Sequence, residues 1–104
     1  MARIISSPGL ISNLPEDAIV EVPAWLSPAG ISGIQVGDMP EAIAELLRRE
    51  ITTSRLCVDA CIANNHTKAL QCLLLDPVIR DMDVAVEILE DYRKAYGELF
   101  PQFR

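Results

Sequence analysis

Apolar and polar positions change their rhythm near residue 38. Before it, Gly9, Pro15, Pro23, Pro28, Gly30, Gly33 and Gly37 recur at short intervals, so no long helix can run there. Two apolar stretches between these breaks read as strands. Ala18-Ile19-Val20-Glu21-Val22 continues past Pro23 into Trp25-Leu26, and Ile31 to Val36 forms the second. Pro23 has no N–H to give and suits a strand edge or a bulge. Two such strands make a hairpin-like element that is marginal by itself.

From Asp38 the spacing becomes helical. Asp38-Met39-Pro40-Glu41 predicts a helix start, with Asp38 as cap, Pro40 in the first turn and Glu41 closing a capping box. Ile43, Leu47, Ile51, Val58 and Ile62 follow on one side. Glu45 with Arg49, and Arg55 with Asp59, are pairs four apart that suit an exposed helical face. The helix is expected to end at Asn64-Asn65, because Asn tolerates the left-handed closing conformation. A second helix is predicted from about Thr67 to Leu75, stopped by Asp76-Pro77. A third starts near Asp81 or Asp83 and carries Ala85, Ile88, Leu89, Tyr92 and Tyr96 on one face, with Pro101 just past its end. The expected class is α+β: a β-rich leader of two short strands over residues 9–37, then three helices over residues 38–104, all within one domain of 104 residues.

Half the residues are apolar and five are aromatic, so the chain can bury a core built of aliphatic side chains. Fifteen acidic residues against nine basic ones give a net charge of −6, which repels phosphates and argues against nucleic acid or an anionic lipid surface as a partner. The charge is −2 in each of residues 1–37, 38–66 and 67–104, so no segment stands out as a charged patch. No apolar run approaches the eighteen or so residues of a membrane span. Met1 to Pro8 has one Arg and no apolar stretch of signal-peptide type. Three cysteines cannot all pair within one chain, so a reducing, cytoplasmic setting is the expectation.

Candidate chemistry is sparse. Cys57 and Cys61 lie four apart on one helical face, with His66 following. Zinc needs three or four converging ligands, and Cys72 is the only other thiol. Small buried hydrophobes are the better reading of these cysteines. His66, the only histidine, sits in Asn64-Asn65-His66-Thr67 and reads as a solvated turn residue. Gly30-Ile31-Ser32-Gly33 lacks the spacing and the following Lys of a phosphate loop. Asp81, Asp83, Glu87, Glu90 and Asp91 are dense, but the first two fall where a helix N-terminus favours negative charge. Tyr92 and Tyr96 read as core. The residues themselves show no catalytic constellation, no cofactor loop and no metal set.

Several stretches in order carry a resemblance. Gly9-Leu10-Ile11-Ser12-Asn13-Leu14-Pro15-Glu16-Asp17 runs into Val20-Glu21-Val22-Pro23, followed by Gly30-Ile31, Val36-Gly37-Asp38-Met39-Pro40, Leu75-Asp76-Pro77 and Pro101-Gln102-Phe103. This order resembles the C-terminal part of the family-4 glycoside hydrolases, whose fold is similar to that of lactate and malate dehydrogenases. The resemblance implies NAD and a divalent metal, usually manganese, in the intact enzyme. It also implies chemistry by oxidation at C3 of the sugar, proton abstraction at C2, elimination of the aglycone, then water addition and re-reduction. The nucleotide loop, the Cys and His metal ligands and the proposed Tyr base of that family precede the region matched here. Cys57, Cys61, His66, Tyr92 and Tyr96 therefore inherit none of those roles, and this chain carries no cofactor of its own. Where Asn-x-Gly is expected ahead of Ile-x-Asn-Leu-Pro, this chain has Ser7-Pro8-Gly9. The resemblance nominates Gly9 and Asn13, in the Gly9–Leu14 loop, for the edge of the substrate cleft of an intact enzyme.

The expectation is a C-terminal portion of such a glycosidase, from a truncated or split gene, inactive alone. Its apolar helices would be covered by self-association into a homo-oligomer or by the missing N-terminal dinucleotide-binding portion. The alternative is an autonomous helical oligomerisation or interaction module that has lost the enzyme's chemistry.

Overall fold

The computed structural model describes residues 9–104, so the reading of Met1 to Pro8 lies outside the described residues. These fall into two compact units that divide at Arg48 and Arg49. The first holds an irregular leader, a hairpin of β1 (Ala24–Ser27) and β2 (Gly30–Gly33), and the start of α1 (Glu41–Ala63). The second holds the rest of α1, then α2 (His66–Leu75), α3 (Met82–Tyr96) and a short 3-10 turn, Gly97–Leu99. The class is α+β, two antiparallel strands followed by three helices, as the hydrophobic pattern predicts.

The hairpin is shorter than its apolar stretches. Trp25 pairs with Ser32 and Leu26 with Ile31 across the ladder, so Leu26 and Ile31 share one face and Trp25 lies on the other. Ala18 to Val22 is not a regular strand, because the Ala18 N–H turns back to the Pro15 carbonyl at 3.0 Å. Ala18 and Val22 are buried all the same. Beyond β2, the Ile34 N–H donates to Pro23 at 2.8 Å and the Val36 N–H to Leu10 at 2.8 Å. The second apolar stretch thus splits its hydrogen bonds between two partners and stops being a strand at Gly33.

Helix α1 starts later than its capping signature implies. The Pro40 carbonyl accepts from Ile43 and from Ala44, each at 2.9 Å, which makes Pro40 rather than Asp38 the residue that opens the helix. Glu41, freed from a capping box, pairs with Arg48, and so does Glu45 at 3.0 Å, where the sequence pattern points to Arg49. The helix ends as expected. Asn64 takes the left-handed conformation, with φ of 49°, and the Asn65 N–H closes the last turn on the Ala60 carbonyl at 2.9 Å. Asn65 then caps α2, its side-chain oxygen accepting the Lys68 N–H at 2.9 Å. His66 is the first residue of α2 rather than a turn residue, and it is exposed. Asp81 caps α3 in the same manner through the Asp83 N–H at 2.7 Å, and Gly97, with φ of 55°, closes it.

The core is thin. Leu10, Leu14, Ala18 and Val22 are buried in the leader, and Ala44, Ala60, Ala69 and Ala85 in the helices. Among the described residues no large side chain is fully enclosed. Trp25, Leu26, Ile62, Val78 and Leu99 are each at least 70% exposed.

Candidate functional site

The Gly9–Leu14 loop is held at every turn. Gly9 has a positive φ of 78°, a conformation that favours glycine, and its carbonyl accepts the Gln35 side-chain amide at 3.2 Å. Leu10 and Leu14 are buried and act as the loop's apolar feet. Between them Ile11 bridges Gly37 in parallel fashion, and the Ser12 N–H donates to the Gly37 carbonyl at 2.9 Å.

Asn13 sits at the loop's crest, half-buried. Its Nδ2 donates to the Met39 carbonyl and its Oδ1 accepts the Met39 N–H, both at 2.9 Å. The side chain thereby imitates one rung of a sheet and ties the loop to the residue just before Pro40. The Asn13 carbonyl accepts a third bond, from Arg48 Nη1 at 3.0 Å. The same guanidinium donates through Nε and Nη2 to Glu45, and through Nη2 to Glu41. Those hydrogen bonds, Glu45 first and then Glu41, raise the Arg48 pKa above its ordinary value, adding to a charge that a guanidinium keeps in any case. Arg48 is the residue that reading the sequence missed. The signals available were its positions three residues beyond Glu45 and seven, or two turns, beyond Glu41.

The other candidates are scattered. Cys57 and Cys61 are exposed and Cys72 half-buried, a correction to their reading as core. Helices of a chain with so thin a core leave much of their small apolar side chains in solvent. Tyr92 and Tyr96 are likewise about half exposed, stacked on each other at 5.8 Å between ring centres, and Tyr92 continues the row to Phe100 at 6.2 Å. A small cleft of about 100 Å³ opens beside this row, lined by His66, Glu90, Arg93 and Phe103 among others. Its volume is well below the roughly 300–1,000 Å³ typical of small-molecule pockets. Among the described residues no three His, Cys, Asp or Glu side chains are arranged to hold a metal ion.

The chain matches the model of the family 4 glycosyl hydrolase C-terminal domain over residues 3–79. The chain belongs to that family. Phospho-α-glucosidase PagL of Clostridium acetobutylicum is 35% identical over 92 residues, which span 88% of this chain and 21% of that enzyme. A 6-phospho-α-glucosidase from gut microorganisms, solved with NAD and Mn2+, superposes with a TM-score of 0.85 at 29% identity, over 96% of this chain and 23% of its own. A second 6-phospho-α-glucosidase structure from gut microorganisms, with NAD and glucose-6-phosphate, gives a TM-score of 0.83 at 28% identity, over 99% and 25%. This family 4 C-terminal domain therefore spans between a fifth and a quarter of the length of the relatives it matches. Among its described residues no helix is long and apolar enough to cross a membrane.

Proposed function

We propose that this chain serves as the C-terminal domain of a family 4 glycosidase that hydrolyses O-glycosyl bonds with NAD and a divalent metal. The observation that supports this most directly is the likeness, over nearly all of this chain, to a 6-phospho-α-glucosidase that holds NAD and Mn2+. The described residues do not fit either group: they offer no metal-ligand cluster, and the sequence has no phosphate-binding glycine loop. No step of the redox chemistry is therefore assigned to them. In this reading the N-terminal portion supplies NAD, metal and base, and residues 1–104 act as one domain that completes the substrate side of the cleft. Gly9 and Asn13 shape the cleft edge indirectly, since the Asn13 amide is spent on Met39 and fixes the loop rather than reaching outward.

The apolar side chains left in solvent, Trp25 and Leu26 on the hairpin and Ile62, Val78 and Leu99 on the helical part, support a covering partner. That partner is a dinucleotide-binding portion of family 4 type or further copies of this chain, in a cytoplasmic setting that keeps the three thiols reduced. Grafting tests the reading. Residues 9–104 replace the matching segment of the gut-microorganism 6-phospho-α-glucosidase. NAD- and Mn2+-dependent hydrolysis of a chromogenic phosphoglucoside by the hybrid is the expected result. A hybrid that binds NAD yet turns over nothing overturns it.

A further inference from the structure

The turn at Asn64-Asn65 folds α2 back along the C-terminal half of α1. Two contacts fix the register. Lys68 Nζ reaches Asp59 Oδ2 at 3.3 Å, and Cys72 Sγ donates to the Thr53 carbonyl at 3.4 Å. The carbonyl of a helical residue points along the axis towards the amide four residues later, which for Thr53 is that of Cys57. The Cys72 sulfur therefore lies at the level of Cys57. Burial first, and then the Cys57 side chain, raises the pKa of Cys72 and of Cys61 alike, which sets Cys57 near both thiols. Cys57 is exposed and open to a small oxidant.

We propose that Cys57 and Cys72 form a reversible disulfide that staples α1 to α2 when the protein meets a hydroperoxide. The neighbouring pair on α1 is excluded by geometry. Residues four apart on a helix have Cβ atoms about 5–6 Å apart, whereas a disulfide holds them at about 3.5–4.5 Å, so Cys57 and Cys61 cannot join without breaking a turn. Cys61 lies a further turn along α1 from the Thr53 carbonyl that Cys72 touches.

The chemistry takes two steps. The Cys57 thiolate attacks one peroxide oxygen, the O–O bond breaks, and hydroxide leaves as a sulfenic acid forms on Cys57. The Cys72 sulfur then attacks the Cys57 sulfur. The S–S bond forms, the S–O bond breaks, and that oxygen leaves as water with a proton from Cys72. Two thiols lose two electrons in all, and one peroxide becomes two waters once the released hydroxide is protonated. Burial and the adjacent Cys57 thiol keep Cys72 protonated at neutral pH, which suits the second, resolving role.

The test treats the reduced chain with hydrogen peroxide, blocks free thiols, and digests it with trypsin without reductant. The expected product is a mass loss of two hydrogens, with peptide Leu56–Lys68 joined to peptide Ala69–Arg80 until a dithiol reductant separates them. Cys61→Ser should keep the link, and Cys57→Ser and Cys72→Ser should each abolish it. The oxidised chain should also melt at least about 5 °C above the reduced one, because a loop of this length constrains the unfolded state. A link that survives Cys57→Ser, only intermolecular dimers, or sulfinic acid without any link overturns the proposal.

Discussion

Asn13 and Met39 exchange two hydrogen bonds of 2.9 Å, one in each direction, across 26 residues of chain. A side chain that both donates to and accepts from a single backbone residue has no isostere. Asn13→Asp can accept the Met39 N–H but sets a carboxylate against the Met39 carbonyl, and Asn13→Ala leaves both groups without a partner. Each is expected to destabilise the first unit by about 1–3 kcal/mol. Thermal denaturation checks this, and an Asn13→Asp variant as stable as its parent would show that the exchange contributes little.

Arg48 is the second tie on the same loop. Its partners differ in weight. The Glu41 and Glu45 side chains are 76% and 73% exposed, so these ion pairs are screened by water and salt. The bond to the Asn13 carbonyl is part-buried and ties residues 35 positions apart. Arg48→Met should therefore lower Tm more than Glu41→Gln or Glu45→Gln does. Arg48→Lys should recover little, because an ammonium cannot serve three acceptors spread over one planar fork. The reverse order in melting experiments would assign the stabilisation to the ion pairs.

The helical part of the fold was legible because its signals are local. Asn64-Asn65, Asp81 and Asp76-Pro77 mark helix ends through their own backbone and side-chain chemistry, and the structure puts boundaries within a residue or two of them. The leader was less legible. Whether Ala18 to Val22 is a strand depends on where distant amides such as Ile34 and Val36 find acceptors, and no local pattern carries that information. Asn13 could be nominated from the Asn-Leu-Pro segment, yet its lock on Met39 and its tie to Arg48 are contacts between residues 26 and 35 positions apart. The cysteines and tyrosines were misread as core for a related reason. Apolar spacing tells which side of a helix seeks cover, and in this chain much of that side is exposed.

The α1–α2 turn offers a backbone test. Asn64 has φ of 49°, its carbonyl accepts the Arg104 N–H at 2.8 Å, and the Arg104 carbonyl accepts the His66 N–H at 3.1 Å. Arg104 thus clamps the turn from both sides. Asn64→Gly should leave stability unchanged or raise it slightly, and Asn64→Val should cost about 1–2 kcal/mol because a branched Cβ resists that conformation. Asn65→Ala removes the α2 cap and should cost about 1 kcal/mol. Chemical denaturation reads all three, and equal losses for Asn64→Gly and Asn64→Val would show that φ is not the controlling variable.

Cys72 predicts how stability changes in alkali. Burial, followed by the charge and hydrogen bonding of Cys57, raises its pKa above the ordinary value of 9.0. The fold therefore favours the protonated thiol, and the unfolded chain releases that proton at a lower pH. This contribution is whole below about pH 9 and is lost as pH rises through the raised folded value, since above both values the folded state has had to bury a thiolate. Cys61 shifts in the same direction from desolvation and the neighbouring Cys57, so it should add a loss of the same sign. Alkali acts on the whole chain, so the informative quantity is the difference between parent and Cys72→Ala. Urea midpoints measured in reductant between about pH 8 and 11 should fall more steeply for the parent. Parallel slopes would mean that Cys72 ionises as freely in the fold as outside it.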